Sequence, residues 1–120
     1  MGIKSIKISV LYLAAGLFLG LYMSMAHDYV LAPVHAHVNL LGWTTLTIAG
    51  ILYYLFPELT DHFLAKSHFW LHNIGLPLMM IGLVFAVSGN SSLLFLTIAG
   101  SFAVVAGLLC FVWNVLVNLK

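Results

Sequence analysis

Charge is nearly absent from this chain. There is no arginine, and four lysines and three acids are the whole complement in 120 residues, 6% of the sequence. A soluble domain carries about 25% charged residues. The net charge of +1 leaves no basic patch, which excludes nucleic acid as a partner. Cysteine is just as scarce. Cys110 is the only one, so no disulfide can form within one chain, and its place in the last apolar stretch makes it a small packing residue. No polar stretch is long enough to form a soluble domain or a long linker.

What fills the space is apolar. Hydrophobic residues make up 63% of the chain. They fall into four runs, each reaching the roughly 20 residues a helix needs to cross the hydrocarbon core. Helices are expected at about 6–26, 33–56, 65–88 and 92–119. The breaks carry the polar and turn residues: His27-Asp28-Tyr29, Pro57 to His62, and Ser88 to Ser92. The expected fold is therefore an all-α membrane protein, a single four-helix transmembrane domain, in contact with membrane lipid. Lys4 and Lys7 precede the first run and Ser24-Met25-Ala26 ends it, the outline of a signal peptide. The run is longer than a usual signal core and is expected to be a retained helix.

Four crossings put Lys4, Lys7, Lys66 and Lys120 on one side, which the positive-inside rule makes cytoplasmic. Both termini are then cytoplasmic, as expected of a protein of a bacterial inner membrane. His27, Asp28, His35 and His37 lie near the outer face. His62, His68 and His72 lie nearer the cytoplasmic face. At 1.5 Å per residue, His37 and His72 are separated by ~15 Å in depth, too far to share one iron within a chain.

His35-Ala36-His37, entered through Pro33, is the sharpest chemical signal. Ionisable residues at membrane depth mark functional sites by default. Imidazole binds haem iron, copper or zinc through a neutral ring nitrogen. Residues at i and i+2 point roughly 200° apart on a helix of about 3.6 residues per turn. His35 shares a face with Asn39, Gly42, Leu46, Ala49 and Tyr53, small residues suited to a flat ring or a close helix. His37 shares a face with Leu41, Thr44, Ile48 and Leu52, aliphatic walls of the kind a macrocycle needs. His27 can be a headgroup residue or a ligand. His68 reads as interfacial, although His68 and His72 have the i, i+4 spacing that can chelate one metal. His72 is open to a structural hydrogen bond or to ligation. His62 reads as solvated.

Packing signals accompany these. Gly16 and Gly20 form a GxxxG pair, and Ala99, Ala103 and Gly107 form a small-residue stripe. Such stripes serve packing within the chain or between copies. Leu-Thr-Ile-Ala-Gly occurs at 46–50 and again at 96–100, the trace a helix-pair duplication would leave.

His37-Val38-Asn39-Leu40-Leu41 with Trp43, closed by Tyr53-Tyr54-Leu55-Phe56-Pro57-Glu58, resembles the second helix of nitric-oxide reductase large subunits, members of the haem–copper oxidase family. The stretch from Leu64 to Gly75 resembles the start of that family's eleventh helix. The family's catalytic subunit has three pseudo-equivalent arcs of four helices, and this chain resembles one arc in permuted order.

The resemblance implies haem b, with His37 as an axial ligand of the iron. His35 is the alternative register and the second member of a His-x-His pair. Ligation does not carry over to His68 or His72. Electron transfer or O2/NO chemistry is the implied function, in a homo-oligomer with a trimer favoured over a dimer. The family's copper ligands and cross-linked tyrosine have no counterpart here, so a complete haem–copper centre is not expected and an oxidoreductase activity stays open. The alternative from the residues themselves is a non-haem copper or zinc site held by His27, His35 and His37, acting in metal handling.

Overall fold

The computed structural model describes residues 1–120, and every regular element in it is helical. Four long helices dominate: α1 (Gly2–Ala26), α2 (Ala32–Leu55), α3 (Phe63–Val87) and α4 (Leu94–Asn118). Their limits lie close to those expected, except that α1 begins earlier, at Gly2. Each is long and apolar enough to cross a membrane, and the chain is an integral membrane protein on that ground. The surface agrees. Phe18, Phe102 and Leu116 are each more than 70% exposed, and the exposed positions of the spans are overwhelmingly apolar. Water would not tolerate such a surface, whereas lipid does.

Local chemistry ends each helix. His27 takes the left-handed conformation (φ 50°, ψ 34°) at the end of α1, and its N–H donates to the Met23 carbonyl. Histidine is among the few side chains tolerated there. Asp28 then accepts the Val30 N–H at 3.1 Å, fixing the turn. Pro33 falls in the first turn of α2, where a missing N–H is harmless. A single 3-10 turn, Pro57–Asp61, reverses the chain into α3. Gly89 (φ 89°) and Asn90, which accepts the Ser92 N–H, reverse it into α4.

The helices form two tight antiparallel hairpins, α1 with α2 and α3 with α4. Glycine sets the closeness of both. A methyl group at Gly2 would lie 2.6 Å from the Gly50 carbonyl oxygen, and one at Gly100 would lie 2.5 Å from the Gly75 carbonyl oxygen. Both copies of the repeated pentapeptide thus end in a glycine at a helix contact. The GxxxG pair is spent the same way, with Gly16 against Asn39 and Gly20 against His35. On α4 the small face is Gly100, Ala103 and Gly107, while Ala99 is exposed, so the stripe is rotated from the expected one. These small residues pack the chain against itself.

The hairpins join through two apolar clusters. One holds Val34, Val38, Leu76, Met79, Met80 and Val104, and the other holds Ala49, Tyr53, Leu59 and Ala65. Met1 and Leu119 pack on the second cluster, which places both termini at the end that carries the Pro57–Asp61 turn. Lys4, Lys7, Lys66 and Lys120 therefore share one end of the molecule, as the crossings required.

One feature of α2 was not foreseen. From Val38 to Thr45 it is π-helical, with i→i+5 hydrogen bonding, and the Thr45 hydroxyl donates to the Leu40 carbonyl at 2.7 Å. Such wide turns concentrate at functional sites.

The helix contacts generate a first prediction. Gly100→Val should lower the thermal stability of detergent-solubilised protein by about 1–3 kcal/mol, because the new side chain meets main chain that cannot yield. Ala99→Val, one residue away on the exposed face, should stay within about 0.5 kcal/mol.

Candidate functional site

The histidines occupy two separate places. His27, His35 and His37 stand at the end of the molecule away from the lysines. His37 is exposed. Its Nδ1 lies 2.7 Å from the Pro33 carbonyl oxygen, which can only accept, so Nδ1–H is the donor. In the neutral ring this fixes the proton on Nδ1 and leaves Nε2 as a bare lone pair. Metal-ligating histidines are held in this manner, with one nitrogen donating to an oxygen and the other free. The i, i+4 spacing of Pro33 and His37 in the first turns of α2 produces the arrangement.

His35 faces differently, as the 200° offset requires. Its ring is partly buried in the groove against α1, where a methyl group at position 20 would lie 2.9 Å from His35 Nε2. Asn39 Nδ2 donates to the His35 carbonyl at 2.8 Å. Of the two faces assigned to α2, the His35 face is buried at Gly42, Leu46, Ala49 and Tyr53 and half-buried at Asn39, while the His37 face is exposed at Thr44 and Ile48 but half-buried at Leu41 and Leu52. Along this first face His35, Asn39 and Gly42 meet α1, while Ala49 and Tyr53 pack with Leu59 and Ala65. His27 is exposed, and the structure gives it the helix-ending role already described. No three His, Cys, Asp or Glu side chains converge anywhere, so His27, His35 and His37 do not form one cluster within a chain.

The second place is interior. His68 and His72 are fully buried, on successive turns of α3 between the two apolar clusters. His68, read from the sequence as interfacial, is enclosed by protein. Tyr53, on the last turns of α2, sits with its hydroxyl 2.9 Å from His68 Nδ1. His72 Nε2–H donates to the Leu41 carbonyl at 3.0 Å, inside the π-helical segment. A side-chain donor entering the main-chain ladder is a known cause of such irregularity. The His68 and His72 ring centres are 5.3 Å apart and nearly perpendicular, and Phe111 packs 5.0 Å from His68. Asn114, also fully buried, donates from Nδ2 to the Leu59 carbonyl at 2.9 Å, tying α4 to the turn.

For His72, open in the sequence to a structural hydrogen bond or to ligation, the structure shows the hydrogen bond. Its Nε2 meets α2 at Leu41, four residues along from His37. The two rings still occupy different environments, one fully buried and one exposed. Nothing in the sequence pattern singled out Tyr53 or Asn114 for this cluster. The signal available was the short turn after Leu55, which sets the end of α2 beside the start of α3.

A shallow cleft of about 460 Å³ opens at the lysine end, lined by Lys4, Lys7, Tyr53, Tyr54 and Thr60 among others. No cleft in the chain is lined by His27, His35 or His37. Comparison with protein-family models, with curated proteins and with solved structures finds no match to this chain.

Tyr53→Phe should destabilise the protein by about 1–3 kcal/mol, since it strips a buried imidazole of its partner. Tyr54→Phe, on the exposed neighbour, should change stability by less than about 0.5 kcal/mol. Thermal unfolding of both variants in detergent measures the difference.

Proposed function

We propose that this chain is a membrane b-type haem protein related to subunit I of haem–copper oxidases, acting in electron transfer or in binding or chemistry of O2 or NO. One observation carries the proposal. His37 combines an exposed position near the end of a membrane-spanning helix with a Nδ1–H bond to Pro33 that leaves Nε2 bare. A bare imidazole nitrogen directed away from its own chain is the donor an axial position needs. Haem, when bound, would supply a one-electron couple, and would offer a position for a diatomic ligand only where His37 alone holds the iron.

The chain's own residues divide the work. Pro33 orients the His37 ring and keeps its tautomer. Thr44 and Ile48 continue the exposed face below it. His35, partly exposed in the groove at Gly20, is the second candidate ligand, offered to a neighbouring copy rather than to its own. The lack of any cleft beside His37 supports this division, because one chain provides no walls for a macrocycle there. The unit is then a homo-oligomer. Closed symmetry is the usual outcome, and three copies reproduce the three-arc plan of the family this sequence resembles. The lysine end is cytoplasmic, with both termini, in a bacterial inner membrane. Exposed Trp70, Trp113 and Tyr54 toward the lysine end, and Tyr22 and Tyr29 toward the other, suit the two interfaces.

Protein purified with haem should show a Soret band that shifts on reduction by dithionite. His37→Ala should abolish it, while His62→Ala should leave it unchanged. A band that survives His37→Ala at full strength overturns the assignment. Native mass spectrometry in mild detergent should find a trimer. A monomer with full haem occupancy refutes the shared site, and a dimer refutes only the threefold count. Reporter fusions at residues 89–91 should report the outer side, and a cytoplasmic signal there overturns the orientation.

A further inference from the structure

Two nitrogens in the buried cluster have no hydrogen-bond partner: His68 Nε2 and His72 Nδ1. Both side chains are fully buried, so neither nitrogen is served by bulk water. An unpaired buried polar atom is expensive, and two on successive turns of one helix need a common explanation.

The partners of the other two ring nitrogens supply it. His72 Nε2–H donates to the Leu41 carbonyl, so the neutral ring has its lone pair on Nδ1. When His68 Nδ1–H donates to the Tyr53 hydroxyl oxygen, Nε2 likewise carries a lone pair. Each imidazole is then anchored through one nitrogen to an oxygen and offers the other, the arrangement that orients histidines around metal ions. The spacing agrees. With metal–nitrogen bonds of about 2.0–2.1 Å, two imidazoles have ring centres about 5 Å apart when a third ligand from outside the chain, such as water, bends the pair to about 110–120° at the ion. The observed separation is 5.3 Å, on the i, i+4 spacing that presents two ligands on one helix face.

We infer that His68 and His72 bind a single Cu(I) ion. Charge selects the oxidation state. All three acids of the chain are exposed, in the turns at Asp28, Glu58 and Asp61, so no carboxylate offsets the ion. The penalty for burying an ion rises with the square of its charge, which disfavours a divalent ion between two neutral ligands. Imidazole is a suitable copper ligand. Access is short, because Tyr53 both bonds His68 and lines the cleft at the lysine end. This site is separate from His37 and does not rest on the haem reading.

The test is Cu(I) titration of the purified full chain in detergent, under reducing and oxygen-free conditions, against a colorimetric Cu(I) chelator. One equivalent should bind. His68→Gln and His72→Gln should each remove it, and Tyr53→Phe should weaken it about 10–100-fold as the loss of an orienting partner. The double variant His35→Ala, His37→Ala should bind copper as the parent does. X-ray absorption of the copper-loaded parent should show only nitrogen or oxygen neighbours with imidazole scattering, a readout that survives if the glutamine variants fail to fold. Absence of binding in the parent, tighter binding of Zn(II) than of Cu(I), a sulfur neighbour, or binding retained in both glutamine variants overturns the inference. In the first case the nitrogens serve only a water-bridged structural contact.

Discussion

Helices in lipid gain nothing by hiding apolar side chains from one another, because the lipid is as apolar as they are. Close packing and internal hydrogen bonds must hold them together. In this chain close packing means main chain against main chain at glycine. Gly2 meets Gly50, Gly75 meets Gly100, and Gly16 and Gly20 receive Asn39 and His35. The two hairpins follow from these contacts. So does the closeness of the helices within each hairpin.

A membrane-embedded interior favours polar groups that find a protein partner, although His68 Nε2 and His72 Nδ1 have none. Most do so locally. Ser5, Ser9, Asn73 and Ser101 each donate to a carbonyl one turn back on their own helix. The bonds that cross between elements are few and sit at the joints of the fold. Thr47 to Ser9 links α1 with α2, Asn114 to Leu59 links α4 with the turn, and Tyr53 with His68 and His72 with Leu41 link α2 with α3. The α2–α3 joint thus depends on histidine more than the glycine-rich hairpins do. It is also where the α-helical ladder gives way to the π form.

Much of this was legible in the residues. Four apolar runs with polar breaks give four spans and their order, and lysine placement gives a common end. The alternation of small and large residues along α2 separates the His35 face from the His37 face. The histidines of α3 were not legible for a physical reason. A membrane helix is apolar all round, so hydrophobic periodicity does not say which side is buried. The choice is made by tertiary partners, and Tyr53 and Leu41 lie on another helix. The rotation of the α4 stripe from Ala99 to Gly100 has the same origin, since two small neighbours present equal patterns until Gly75 selects one. The π-helical segment escaped because its cause, a carbonyl bonded by a distant histidine, has no local sequence signature.

The two histidine sites differ in what completes them. The inner pair has its orienting oxygens, its walls and its route of access within one chain. The outer pair has one bare nitrogen, that of His37, on the surface. The two are nevertheless joined by covalent structure. His37 is the last residue before the π-helical segment, and Leu41, which holds His72, lies within it. Its bonding is the least regular in the four spans, so it is where α2 can most readily change its turn.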